Sequence, residues 1–358
     1  MLPLPRAAEI LRMSRVSPLA IHVHRRTVTF GAPLRTLVSK DGLVTLTPPT
    51  PPVIFVIFNR PEPTRQAFEA IRAARPSKLL VVADGPRANN PQDAEKCAAV
   101  RAIIDSVDWD CDVVRNFSDY NMGCRLRVSS GITWAFELVD HAIILEDDCL
   151  PSSSFFPYCA ELLKRYEYDN RVMVISGTNH LFGRSDTTSS YYFSRFPHIW
   201  GWATWRRAWS KYDLDMTHWP EIRERKLFHQ YFATRSESHR WDSILQSVYD
   251  GKVDTWDYQW GYSIWANSGL SITPARNMVR NIGFHAEATH TTRNSIYSTL
   301  RAEELTFPLS HPDYVLASSD KDELEARLRS TPRKILWYLL NKYSPGAKSA
   351  NPTASPGY

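Results

Sequence analysis

Residues 142–148 read Ala-Ile-Ile-Leu-Glu-Asp-Asp. An apolar run leads straight into three carboxylates. Such a run suits a strand buried on both faces, and the charges mark where it leaves the core. Two earlier segments have the same form. Residues 53–58 (VIFVIF) end at Asn59-Arg60-Pro61, and residues 79–83 (LLVVA) end at Asp84-Gly85-Pro86-Arg87. Weaker strand signals stand at 112–115 and 172–175. Helical stretches are expected between them. Residues 64–74 place Ala67, Phe68, Ile71 and Ala74 on one stripe. Residues 91–106 carry Pro91 in the first turn, where proline is tolerated. Residues 123–138 and 152–166 complete the set. This alternation predicts an α/β fold with a mostly parallel twisted sheet and helices on both faces. In such sheets ligands bind beyond the carboxyl ends of the strands.

The 358 residues are 43% hydrophobic and 12% aromatic, enough to build a buried core and unlike a disordered or collagen-like chain. No apolar run approaches the ~18 residues of a membrane span. The formal charge of +5 is local. Residues 1–47 hold seven Lys/Arg (Arg6, Arg12, Arg15, Arg25, Arg26, Arg35, Lys40) against Glu9 and Asp41. The remainder carries 36 of each sign, so no nucleic-acid-binding body is expected. Five cysteines (Cys97, Cys111, Cys124, Cys149, Cys159) without a Cys-x-x-Cys pair point to neither a zinc site nor a disulfide framework. The expected compartment is a reducing cytoplasm. The run Pro48-Pro49-Thr50-Pro51-Pro52 reads as a stiff linker. The expected domains are a basic leader (1–47), a catalytic domain (48–310) and a C-terminal helical extension with a tail (311–358), including a short apolar helix at 335–340. The basic leader has two open readings: peripheral attachment to an anionic membrane surface, or a start site assigned too far upstream.

Three features could carry chemistry. Glu146, Asp147 and Asp148 repel one another and need a cation, hydrogen bonds or full solvation. Their hard oxygens suit Mg²⁺ or Mn²⁺, which can hold a diphosphate. The plain alternative is a solvated acidic loop with Asp148 or Ser152 capping the next helix. Asp84 could accept hydrogen bonds from a nucleoside, although Asp-Gly-Pro is also ordinary turn chemistry. The backbone amides of Asn121-Met122-Gly123-Cys124-Arg125, with Arg125 or Arg127, could face an anion at a helix start.

Taken in order, these pieces resemble the nucleotide-diphospho-sugar transferases of the GT-A fold. The resemblance is to the bacterial hemolytic-protein-like glycosyltransferases and, more distantly, to the eukaryotic alpha-1,3-mannosyl N-acetylglucosaminyltransferase. It spans residues 53–292 and includes Ile144–Pro151, His198-Ile199-Trp200-Gly201-Trp202-Ala203-Thr204-Trp205 and Ala288-Thr289-His290-Thr291. It implies a metal-dependent, inverting glycosyltransferase. The donor would be a nucleotide-diphosphate sugar, with UDP the expected nucleotide. The acceptor would be a glycan or lipid-linked hydroxyl, as in polysaccharide biosynthesis. By the same resemblance, Asp148 contacts Mn²⁺ or Mg²⁺, with Glu146 and Asp147 near the ribose or ion, although Glu146 stands where that fold's motif has Asp. Asp84 faces the nucleoside with Asn59 or Arg60. Arg125 or Arg127 lies near the base or diphosphate. His290, and more weakly His285, gives a late metal or diphosphate contact, the alternative being a surface or core histidine.

Displacement at an anomeric carbon also needs a carboxylate to take the acceptor proton. Asp254-Thr255-Trp256-Asp257-Tyr258-Gln259-Trp260 offers Asp257, with Asp254 and Asp242 as alternates. The competing role for Asp257 is capping a helix that begins near Tyr258. Nine of the twelve tryptophans fall between Trp200 and Trp265. Trp202, Trp205 and Trp209 have helical core spacing, which leaves Trp200, Trp256 and Trp260 as expected acceptor platforms. Two other functions compete. A non-catalytic carbohydrate-binding protein on the same fold would bind glycan without nucleotide or metal. A nucleotidyltransferase would release pyrophosphate, but the first loop, Asn59-Arg60-Pro61-Glu62-Pro63, lacks the glycines expected over a triphosphate.

Overall fold

The computed structural model describes residues 35–38, 44–47, 49–229, 231, 232, 234–284 and 296–330. An antiparallel pair, β1 (Arg35–Val38) and β2 (Val44–Thr47), comes first. Alternating elements follow: β3 (Val53–Ile57), α1 (Pro61–Ala74), β4 (Lys78–Ala83), α2 (Gln92–Ile103), β5 (Asp112–Phe117), α3 (Gly123–Leu138) and β6 (His141–Glu146). A short β7 (Cys149–Pro151) leads to α4 (Phe155–Arg165) and β8 (Val172–Ser176). The aromatic half holds β9 (Tyr191–Ser194), β10 (Trp202–Trp205), α5 (Arg206–Trp209), α6 (Trp219–Glu224), α7 (Arg235–Tyr249) and α8 (Asp257–Ala266). β11 (Leu270–Pro274), β12 (Val279–Asn281) and α9 (Ser319–Ser330) close it.

Among the described residues, eight strands form one sheet in the order β5-β4-β3-β6-β10-β8-β11-β9. β5, β4, β3 and β6 are mutually parallel, β10 is antiparallel to both β6 and β8, β11 is parallel to β8, and β9 is antiparallel to β11. Six strands therefore share one direction, and the fold is mixed α/β with a mostly parallel sheet. The period-two alternation of a strand sorts its side chains. Val53, Phe55 and Ile57 face one core with Leu79, Val81, Ile143 and Leu145, against α1, α2 and α4. Ile54 and Val56 face the other with Leu80, Val82 and Ile144, against α3 and α8.

The order reverses between β3 and β6: β4 and β5 extend to one side of β3, and β6 lies on the other. In open α/β sheets that reversal leaves a crevice beyond the carboxyl ends of the strands. The loops that flank it carry Asn59-Arg60 after β3 and Asp147-Asp148 after β6. The acidic turn is held from behind, because β7 pairs with β12 and Ile282 N–H donates to the Asp148 carbonyl at 2.8 Å.

The aromatic half corrects one expectation. Trp202 and Trp205 stand on strand β10, not on a helix with Trp209, and their spacing of three sends them to opposite cores. All three are nevertheless buried. The sequence reading also lacked α9, a charged helix of weak apolar patterning that is tied to β9 by Ser194 Oγ–H donating to Asp322 at 2.6 Å. The expected helix at 335–340 lies outside the described residues. No helix among those described is long and apolar enough to cross a membrane.

The α3–β4 packing is testable. A Cβ at Gly131 would overlap Val82 Cγ1 and lie 3.0 Å from Cγ2. Gly→Ala inside a helix normally gains about 1 kcal/mol. Here Gly131→Ala is expected to destabilise the chain by about 1–3 kcal/mol through overpacking, measured by chemical denaturation.

Candidate active site

Parallel pairing of β3 with β6 sets Val56 beside Glu146. The next turn of each chain then brings Arg60 against the acidic residues. Its guanidinium forms a charged hydrogen bond with Asp147 and a second, at 2.9 Å, with Asp148 Oδ2. Phe58 N–H adds a bond to Asp147 at 3.3 Å. Pro61 at the start of α1 fixes the backbone at this point, and Thr64 Oγ–H and N–H both return to the Arg60 carbonyl. Burial works against the Arg60 charge, but the two carboxylates outweigh it and raise its pKa.

One guanidinium does not balance three acids. Among the described residues no hydrogen bond or ion pair reaches the Glu146 carboxylate. Burial first, then the charges of Asp148 and Asp147, push its pKa up. Burial also raises Asp147, with Arg60 opposing. Behind this turn Gly283 packs so closely that a Cβ there would overlap Asp148 Oδ2 and meet Arg60 Nη1 at 3.0 Å.

More carboxylates act on the same region. The half-buried Cys124 thiol is pushed up by burial and then by Glu146, Asp257, Asp254 and Asp84. Asp257 also acts on Glu146. Asp254 Oδ2 lies 3.2 Å from where a Gly123 Cβ would stand. Asp257 is the first residue of α8, which is capped by Trp256, so it is not the helix cap that competed with a catalytic role. Thr255 Oγ–H donates to its Oδ1. The alternate Asp242 lies on α7 in an ion pair with Arg223 at 3.3 Å.

Asp84 differs from its sequence expectation. Its Oδ1 accepts from Gly85 N–H and Met122 N–H, both at 2.9 Å. Its Oδ2 accepts from Asn121 Nδ2 at 2.9 Å and Gly123 N–H at 3.2 Å. Burial raises its pKa while these backbone bonds lower it. The anion faced by the amides at the start of α3 is therefore the chain's own carboxylate, and Asp84 fastens the β4 loop to that helix. Asn59 likewise turns inward and donates to Asp93 Oδ1 at 2.8 Å. Arg87 and Asn90 converge on the same buried Asp93, which the sequence reading missed. Arg125 donates to the Leu214 carbonyl and to exposed Asp215. Arg127 is buried and holds the Ala83 carbonyl at 3.1 Å and Asn116.

Trp256 and Trp260 are corrected as well. They are 2% and 0% exposed, packed with Trp202 and Trp209, and so belong to the core rather than to an open sugar platform. Trp200 keeps partial exposure and packs edge-on against Phe284, with ring centroids 5.6 Å apart. His285 and His290 lie outside the described residues. All five cysteines are free thiols.

No family model and no curated protein matches the chain. Solved structures with partial likeness include the mannosyltransferase PcManGT from Pyrobaculum calidifontis in complex with GDP-Man and Mn²⁺, at 14% identity and a TM-score of 0.30 over 49% of this chain and 48% of that one. Galactosyltransferase LgtC in complex with donor and acceptor sugar analogs matches at 13% identity and 0.32, over 81% of this chain and 99% of that one. UDP-glucose pyrophosphorylase complexed with UDP-glucose matches at 12% and 0.23, over 40% and 61%. TM-scores this low carry no weight for fold or function, which rest on the chain's own geometry.

Two outcomes test the inward-turned acids. Asp84→Asn replaces one acceptor oxygen by a donor facing N–H groups. It is expected to cost about 1–3 kcal/mol for each stranded donor, read by denaturant titration. Asp93 is held down to about 2, chiefly by its hydrogen bond from Arg87, with burial opposing. A depressed carboxylate contributes stability that is complete above its unfolded pKa and is lost as pH falls through the folded one. Asp93→Asn should therefore lower stability at pH 5 and flatten the loss between pH 4 and pH 2, followed by thermal melts across that range.

Proposed function

We propose that the chain is a GT-A glycosyltransferase that moves a sugar from a nucleotide-diphosphate donor to an acceptor hydroxyl. One observation carries this reading. At the point where the strand order reverses, three adjacent acids meet a single guanidinium, and Asp257 adds its charge to the field at Glu146. That arrangement retains excess negative charge in a partly buried crevice.

Hard oxygen donors with unbalanced charge fit Mn²⁺ or Mg²⁺. Asp148 is the residue proposed to hold the ion, with Glu146, whose carboxylate no hydrogen bond engages among the described residues, beside it. When bound, the cation would neutralise charge on the leaving diphosphate. His290 keeps its proposed role as a late metal or diphosphate contact.

The remaining work falls to the chain's own groups. Arg60 lies beside the acids and can turn one guanidinium edge toward the donor's phosphates, adding a fixed positive charge where negative charge develops. Asp84 acts by holding the 121–123 turn against the β4 loop, which shapes the nucleoside side. Asp257 takes the proton of the acceptor hydroxyl, and its Thr255 hydrogen bond orients the carboxylate. A candidate base, together with the resemblance to inverting transferases, supports single displacement with inversion. UDP as the nucleotide, and a glycan or lipid-linked acceptor in polysaccharide biosynthesis, complete the reading.

The test separates binding from chemistry. Purified chain is titrated with UDP and with GDP, with and without Mn²⁺, then assayed for nucleotide release from a panel of nucleotide sugars. Asp148→Ala should abolish the Mn²⁺-dependent part of nucleotide binding. Asp257→Asn should retain binding and lower turnover by about 100- to 10,000-fold, the usual contribution of a general base. Glycan binding without nucleotide or metal binding in the folded wild type would sink this reading in favour of a non-catalytic carbohydrate binder.

A further inference from the structure

Away from the acidic turn, the described residues bring a second set of metal-ligating side chains together. His180 lies in the loop after β8, His198 just before β10, and Glu325 on α9. One potential ligand atom from each lies within 4.8 Å of the others. His198 Nε2 stands 3.3 Å from Glu325 Oε2, and His180 Nδ1 stands 4.0 Å from Glu325 Oε1. Among the described residues, buried His180 Nε2 has no hydrogen-bond partner. The two imidazole rings are 4.0 Å apart.

The surroundings hold these groups in place. Asn179, next to His180, donates its backbone N–H to Asn277 Oδ1 at 3.0 Å and its side-chain Nδ2–H to the Pro274 carbonyl at 2.7 Å. His198 N–H donates to Ser176 Oγ at 3.1 Å. Arg329 donates to Glu325 Oε1 at 2.6 Å and to Glu237 at 2.8 Å, which orients the carboxylate and leaves Oε2 toward His198. Such outer partners are what a metal-ligating carboxylate requires. Trp200 and Tyr297 wall the cluster with aromatic rings. With both imidazoles neutral, Glu325, Glu237 and Arg329 sum to one negative charge, which favours a divalent ion.

We propose that His180, His198 and Glu325 form a metal site for a late first-row divalent ion, with Zn²⁺ the expected occupant. Two imidazoles and one carboxylate are a known zinc donor set and leave a fourth position for water. Nitrogen donors separate this site from the all-oxygen acidic turn, which suits Mn²⁺ or Mg²⁺. Its role is to fasten α9 to the sheet, since the ligands come from two loops of the sheet and from that helix. The competing arrangement is a proton in the metal's place, giving a His198–Glu325 ion pair.

The experiment uses the full chain, stripped with chelator and re-equilibrated with Zn²⁺ or Co²⁺. Metal content is read by mass spectrometry, stability by thermal melting, and ligand type by the visible absorption of bound Co²⁺. Wild type and Asp148→Ala should each hold one equivalent of Zn²⁺ and melt several degrees higher with it, because a ligand that binds the native state stabilises it. His180→Gln and His198→Gln should each weaken Zn²⁺ by more than the roughly 10- to 100-fold typical of losing an outer partner, and lose the Co²⁺ spectrum. Glu325→Gln removes one of the two carboxylates that balance buried Arg329 and can unfold the chain, so the two histidine variants carry the test. The proposal is overturned if folded wild type takes up no stoichiometric Zn²⁺. It is equally overturned if both histidine variants bind as wild type does, or if uptake disappears in Asp148→Ala.

Discussion

The contact between Arg60 and the Asp147–Asp148 pair is the constraint on which the crevice depends. Neighbouring carboxylates in a buried turn cannot all stay charged without a counter-charge. The chain supplies one from the adjacent parallel strand, and the β3–β6 register decides that it arrives at the right level. Pro61 and Thr64 then fix the start of α1, so the guanidinium is presented from a rigid element. The ladder between β7 and β12, with Gly283 against Asp148, closes the turn from behind. The acidic residues are thus gripped from two parts of the sequence more than 200 positions apart.

Charge in this protein is arranged in layers of compensation. Asp93 and Asp84 are buried and satisfied by donors from their own loop and from a neighbouring one, so they act as fasteners. Glu146 lacks such partners among the described residues and is pushed toward neutrality. A carboxylate left without donors in this way marks a position where ligand chemistry can occur. The contrast between Asp84 and Glu146, both at the ends of parallel strands, lies in their neighbours and not in their residue type.

Much of the architecture was legible in the sequence because period and punctuation are local. The runs at 53–58, 79–83 and 142–145 became central parallel strands, and the helix expected at 123–138 is α3. The acidic triplet was found for the same reason: three charges at the end of an apolar run are visible without any tertiary knowledge. What escaped was non-local. Nothing near Asp84 signals that Asn121, Met122 and Gly123 will fill its acceptor positions, because those donors come from beyond the next strand. Trp202 and Trp205 matched helical spacing, yet pairing with β6 and β8 overrode it. Trp256 and Trp260 are flanked by polar residues, and only packing reveals that they are core. α9 has little apolar periodicity, since Asp322, Glu325 and Arg329 hold it alongside a small apolar contact through Leu324 and Leu328. Asp93, His180 and Glu325 had no signal to read, because each gains its meaning from partners distant in sequence.

The four donors spent on Asp84 have a consequence for molecular recognition. A loop that must be ordered by its ligand subtracts the entropy of ordering from the affinity it delivers. Here the wall formed by the β4 loop and the first turn of α3 is tied by the protein's own carboxylate. Its conformational freedom is surrendered during folding, and an incoming molecule meets a surface already shaped. Along this wall, association should resemble the fitting of a rigid mould, and selectivity should follow from steric match rather than from induced adjustment.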